Sequence, residues 1–220
     1  MLLNWLFIDD FQKFNDDKYL SMVYFKVMKS KARLLMIIGA ASFLSSCQTY
    51  KVSLTYNPPS FNQRVIKGEP SIKIDKINDV RNLRGSELGA IKNEFGIAIK
   101  AIQAKQPISE ITRTAFSHAL KSRNLLAEKD AKYILQADVL QFECSQYSTQ
   151  NAECRIRVHL YQAKTGRLIY SQYYYSTKTK VSPNVSYWSN VDEIAVVASD
   201  ALQDVVDRAV DDQKLRRMLR

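Results

Sequence analysis

CRIRVHLYQAKTGRLIYSQYYYST, residues 154–177, decides the fold. In its first third, Cys154, Ile156, Val158 and Leu160 alternate with Arg155, Arg157, His159 and Tyr161. Strict alternation is the period of a strand with one face on a core and the other toward water. Lys164-Thr165-Gly166 then makes a short turn, and Leu168–Thr177 resumes in strand formers, with Tyr170, Tyr173, Tyr174 and Tyr175. Two such runs joined by a short Gly-containing turn form an antiparallel hairpin. The tyrosines fall on both faces, so half of them belong to the core.

Working outward, Tyr133–Phe142 is a third strand, rich in strand-forming residues. Upstream, Ile108, Ile111, Ala115, Phe116, Ala119 and Leu120 build one apolar stripe of a helix over 107–124. Pro107 suits its first turn and Asn124 a left-handed stop. Downstream, Ile194, Val197, Ala198, Ala201, Leu202, Val205, Ala209 and Val210 mark a second helix. Asn190 is placed to cap it and Glu193 to complete a capping box, and its spacing allows it to run on toward Arg220. Ser71–Ile77 alternates as a strand, and Val52, Leu54 and Tyr56 suggest a short one before Pro58-Pro59. Residues 83–106 read two ways. Leu88, Ile91, Phe95, Ile99 and Ile102 have helical spacing, whereas Gly85, Gly89 and Gly96 oppose a long helix. Two amphipathic helices need a surface on which to bury their stripes, and a half-apolar sheet supplies one. The fold expected is therefore α+β, a two-layer sandwich of a mainly antiparallel sheet packed by two helices.

Composition agrees with a globular chain: 46% apolar, 25% charged, with 6 Gly and 5 Pro in 220 residues. The net charge is +10, and +8 once residues before Cys47 are set aside. Such an excess suits an anionic surface, either envelope polymer or nucleic acid.

The choice between those comes from residues 28–47. Lys29, Lys31 and Arg33 form a basic start, Leu34–Leu44 an uncharged and mostly apolar run, and Ser45-Ser46 a small-residue end before Cys47. That order is a secretory signal. The apolar run is too short for a membrane span, which needs roughly 20 residues. Leu44-Ser45-Ser46-Cys47 resembles the lipobox of bacterial lipoproteins, which implies cleavage before Cys47 and acylation of its thiol. Several acyl chains, at about 0.8 kcal/mol per buried CH₂, make a durable anchor. Gln48, rather than an acid, follows the cysteine, so the periplasmic face of the outer membrane is the expected location, with the inner membrane as the alternative. Export also removes nucleic acid from the expected partners. The signal fits a start at Met28 or Met22, so 1–27 reads as a mis-assigned start or leader. The remaining layout is signal 28–46, lipidated cysteine and tether 47–70, periplasmic domain 71–213 and basic tail 214–220.

With Asp79-Val80-Arg81, Leu88-Gly89, Phe95-Gly96, the 107–124 helix and the hairpin in view, the chain resembles the YajG-type family of uncharacterised bacterial lipoproteins. The pattern is a strand ending in Asp-x-Arg, a Gly-containing excursion, a helix, a hairpin and a closing helix, over residues 70–212. The resemblance implies an envelope lipoprotein with no assigned catalytic residues or cofactor. Similar layouts occur in accessory lipoproteins of lipid transporters and in activators of cell-wall synthases. The leader and the cysteines at 144 and 154 depart from the pattern.

Cys144 and Cys154 flank nine residues between two expected strands. In an oxidising compartment they read as a cross-strand disulfide, the alternative being two separate buried thiols. His118 and His159 are too scattered for a metal site, and no catalytic triad, phosphate loop or nucleophile motif occurs. Asp79 and Arg81 read as an ion pair closing a strand. Arg155, Arg157, Tyr173, Tyr175, Lys178 and Lys180 could form a basic aromatic binding face, against the plainer reading of a solvated sheet face. The expectation is a membrane-anchored, non-catalytic accessory protein that binds an envelope protein. The alternative is a binder of lipid or anionic polymer through the basic face. An enzyme would instead need a deep pocket with perturbed ionisable groups.

Overall fold

The computed structural model describes residues 48–58, 70–83, 85–181 and 191–219. The leader, the signal, Cys47, the Asn190 cap and residues 59–69 of the tether lie outside the described residues. Strands β5 (Tyr133–Gln146), β6 (Thr149–Gln162) and β7 (Leu168–Val181) form a long antiparallel meander. Gly166, at φ 66°, closes the β6–β7 turn and donates its N–H to Gln162 O at 2.8 Å. The alternation holds: Cys154, Ile156, Val158 and Leu160 are fully buried. Across the ladder their inward neighbours are Phe142, Val139, Ala137 and Leu135.

The rest of the sheet corrects the expected topology. β1 (Gln48–Val52) lies parallel to β4 (Ala98–Ala104), and β2 (Ile72–Asp79) and β3 (Glu87–Lys92) both lie parallel to β5. β3 and β4 pair antiparallel. The sheet is thus open and mixed, in the order β1-β4-β3-β5-β6-β7, with β2 also on β5. Alternation in sequence reports which face is buried, not which way a strand runs. Direction is set by connections, and helix α1 (Ile108–Ser122), standing between β4 and β5, carries the chain over one face so that β5 returns parallel to β2.

Because β6 occupies one edge of β5 along its length, β2 and β3 share the other edge end to end. β2 pairs with residues 133–139 and β3 with residues 144–146. The ambiguous stretch 83–106 resolves as the β3–β4 hairpin, its helical spacing overridden by pairing. Leu88, Ile91 and Ile102 are buried, but Phe95 at the turn is 77% exposed. Gly89 is needed where β3 meets β5: its φ is 137°, and a Cβ there would lie 2.0 Å from Cys144 O.

Helices α1 and α2 (Val191–Val210) cover one face of this sheet. α1 packs on β2, α2 packs on β5, β6 and β7, and the two helices pack on each other. Asn124, at φ 56°, ends α1 in the left-handed conformation expected of it. The second helix does not run on. It stops at Val210, and Asp212 caps a short helix α3 (Gln213–Met218) by accepting from the N–H groups of Lys214 and Leu215. The residues read as a basic tail therefore fold back, with Leu215 buried. β1 begins directly at Gln48, so the start of the stretch read as tether is part of the sheet.

Candidate functional site

The sheet face away from the helices carries the built polar surface. Strand register brings Arg155 opposite Tyr175 and Arg157 opposite Tyr173. Each guanidinium lies over its neighbour's ring, 5.2 Å and 5.6 Å from the centroids. Tyr173 and Tyr175 are 58% and 43% exposed. Stacking of this kind fixes long side chains over aromatic planes. Asp138 is the hub beside them. It accepts from Asn78 at 2.8 Å and from Arg157 at 2.8 Å, with His159 Nε2 at 3.3 Å. Burial raises the Asp138 pKa, but these hydrogen bonds outweigh burial and hold the carboxyl below its ordinary value. Gln141 donates to Glu143 and Glu153 on the same face.

Lys178 and Lys180 are not part of this array. They share the parity of Tyr174 and Ser176, which puts them on the helix side, where Lys178 pairs with Asp204 at 3.5 Å and Lys180 with Glu193 at 3.7 Å. The candidate face thus separates into Arg155, Arg157, Tyr173 and Tyr175 on one side and two lysines neutralised by helix α2 on the other. His118 is exposed on α1, apart from His159.

Cys144 and Cys154 also stand otherwise than the hairpin alone suggested. Both are on the inner face, but Cys154 lies opposite Phe142 and Cys144 opposite Ala152, so the two are offset along the ladder. Both are free, buried thiols. Desolvation pushes Cys144 up to about 12 and Cys154 higher still, which suppresses the thiolate.

Asp79 and Arg81 form the expected ion pair, at 2.8 Å, and Arg81 does more. Along β5 there is an interval between the last residue paired with β2 and the first paired with β3. Arg81 fills it, donating to Phe142 O at 2.6 Å, Glu87 O at 2.8 Å and Gly85 O at 3.0 Å. A guanidinium has enough donors to satisfy carbonyls that no strand reaches. A cleft of about 290 Å³ opens beside it, lined by Arg81, Gln141, Glu143 and Arg155 among others.

A second buried arginine is a cluster the sequence reading missed. Arg123, fully buried at the end of α1, donates to Asp207 at 2.8 Å and to both carboxylate oxygens of Asp211 at 2.6 and 2.9 Å. Tyr56 donates to Asp207 at 2.6 Å, and Arg216 pairs with Asp211. Burial opposes the Arg123 charge, but the hydrogen bonds to Asp211, Tyr56 and Asp207 more than restore it. Burial and the Asp207 contact push the Tyr56 hydroxyl well above its ordinary value. The cluster locks α1, α2, α3 and the chain after β1 together. A fully buried arginine so far from its partners carries no sequence signal of its own.

These features define a class: an α+β domain with an open mixed sheet, helices on one face and a polar aromatic array on the other. No family model matches the chain, and neither does any curated protein. Among solved structures, protein XCC0632 from Xanthomonas campestris, of family DUF330, aligns with a TM-score of 0.55 and 15% identity, over 78% of this chain and 98% of that one. PelC from Paraburkholderia phytofirmans, solved as a dodecamer, gives 0.39 and 11% over 70% and 92%. Lipoprotein GNA1162 from Neisseria meningitidis gives 0.27 and 12% over 63% and 99%. The first comparison establishes a shared fold with XCC0632.

Proposed function

We propose that this is a lipoprotein of the cell envelope, held by acyl chains on Cys47, whose domain acts without catalysis as an accessory subunit of an envelope machine such as a transporter or cell-wall synthase. The observation that carries this reading is one of position: the signal segment ends at Cys47, and among the described residues Gln48 is already paired in the sheet. The residue after the lipobox cysteine is thus part of the folded domain. The outer membrane is the location that Gln48 favours, and the resemblance to the YajG-type family fits the same picture.

The partner surface in this reading is the array of Arg155, Arg157, Tyr173 and Tyr175. Arginine and tyrosine are enriched in protein interfaces, and rigid aromatic planes with stacked guanidinium groups lose little entropy on docking. A protein partner suits the face better than a polyanion does. Asp138, Glu143 and Glu153 lie among the arginines, and Lys178 and Lys180 are on the other side, engaged by acids.

The test has two parts. Intact mass of membrane-extracted protein should show a chain beginning at Cys47 with acyl mass that Cys47→Ala lacks. Crosslinking in intact cells should capture a protein partner that Arg155→Ala/Tyr173→Ala loses while remaining folded and lipidated. An unacylated chain retaining its N-terminus would overturn the anchor. Capture unchanged by the double substitution would overturn the surface.

A further inference from the structure

The two ends of the sheet differ in chemistry. At one end lie the β3–β4 turn, the β5–β6 turn and the last residue of β7, since Ile91 pairs with Gln146 and Thr149 with Val181. This end exposes Phe95 (77%), Ile97 (61%), Tyr147 (49%) and Val181 (74%). The other end, at the β6–β7 turn, exposes Lys164 and Arg167 beside one apolar side chain of that turn, Leu168 (47%).

The apolar end is built rather than frayed. Asn93 Oδ1 accepts from the N–H groups of Phe95 and Ile97, at 3.0 and 2.9 Å, and Gly96 takes the left-handed bend at φ 75°. Tyr147 donates its hydroxyl to Glu94 O at 2.9 Å, which ties the two turns together. Lys92 is exposed beside them, and Lys100 Nζ lies 5.0 Å from the centre of the Tyr50 ring. Exposed apolar tips flanked by tyrosine and lysine match a bilayer interface, where ring and stem sit in the apolar zone and the polar ends stay wet.

The chain enters the sheet at this same end. Gln48 pairs with Lys100 and runs parallel to β4, whose first residue, Ala98, directly follows the turn. At about 3.3 Å per residue, the start of β1 lies only about 7 Å along the sheet from the start of β4. Gln48 therefore lies near the turn that carries Phe95 and Ile97, and an acyl chain on the residue before it would start from this end.

We infer that the β3–β4 and β5–β6 turns form a second membrane contact. Phe95, Ile97 and Tyr147 dip into the bilayer next to the anchor, and the domain stands end-on with its Lys164 end pointing away. This inference rests on the anchor reading. The test uses the full-length gene expressed with its own signal, the lipidated product reconstituted in vesicles whose acyl chains carry a nitroxide quencher. An environment-sensitive fluorophore is placed on Phe95→Cys, Ile97→Cys or Lys164→Cys. Cys144 and Cys154 are buried and their thiolates suppressed, so labelling is selective. The expected result is loss of most fluorescence at 95 and 97, with a blue shift, and little loss at 164. Intact mass of the same samples reports acylation separately. Acylated protein with 95 and 97 unquenched, or with all three positions quenched alike, overturns the end-on contact and leaves the anchor standing. Absence of acyl mass overturns both.

Discussion

Arg81 and Arg123 are both buried and both bound to carboxylates, yet they stabilise the protein in different ways. Arg81 works within the sheet: besides Asp79, its partners are the backbone carbonyls of Gly85, Glu87 and Phe142. It substitutes for the strand missing between β2 and β3. Arg123 works between helices, and its charged partners are carboxylates 84 and 88 residues away. It is a tertiary clamp. A buried guanidinium can therefore repair a local defect in a sheet or join distant elements, and the two roles should fail differently.

The largest effect is expected from Arg123→Ala. It leaves Asp207, Asp211 and Tyr56 without their central donor, and breaking a buried pair typically costs 3–5 kcal/mol. Both carboxylates keep some water, at 17% and 19% exposure, so the low end, about 3 kcal/mol by urea denaturation, is expected. A loss below about 1 kcal/mol, the scale of a surface pair, would show that the clamp is dispensable.

Arg81→Ala should cost somewhat less, about 2 kcal/mol, because it strands one carboxylate, Asp79, where Arg123→Ala strands two, and its other acceptors are neutral carbonyls. Arg81→Lys should recover little of this, since one ammonium cannot reach three carbonyls and Asp79 together. Full recovery with lysine would reduce the role of Arg81 to its charge.

A third measurement separates local from global failure. At matched stability, alkylation of Cys144 and Cys154 should be faster in Arg81→Ala than in Arg123→Ala. The thiols flank the Arg81 gap: Phe142 faces Cys154, and Gly89 pairs with Cys144. Equal rates would mean that the gap opens only when the whole domain does.

The smallest effect concerns pH. It concerns Asp138 on the open face, which hydrogen bonds hold below its ordinary value. A depressed folded pKa gives stability that is present above the unfolded value, about 3.9, and lost as pH falls through the folded one. Asp138→Asn should therefore lose that contribution at neutral pH and converge on the parent protein as pH falls below about 4, flattening that part of the acid limb. An unchanged acid limb would show that Asp138 contributes nothing to it.

The same contrast explains what the sequence disclosed. Asp79-x-Arg81 was readable because its acid and base stand two residues apart. The β6–β7 hairpin and both helix stripes were readable because each is a local period. Arg123 was not, because its partners come from another helix. The parallel pairing of β2 and β3 was hidden because alternation is blind to direction. Residues 83–106 misled by offering two periods, and contact with β5 at Gly89 chose the strand. On the candidate face, Arg155 and Tyr173 could be placed by parity. The same parity carries Lys178 and Lys180 to the helix side, a consequence that side-chain chemistry alone concealed.

The pairing of Gln48 in β1 limits reach. An extended chain spans at most about 3.6 Å per residue. On the proposed acylation of Cys47, with Gln48 already paired with Lys100, almost no slack would remain between bilayer and sheet. Such a domain could not sweep the periplasm for partners. Its encounters would be confined to a layer one domain thick, where a membrane-bound partner meets it at high effective concentration and a soluble one must come to the surface.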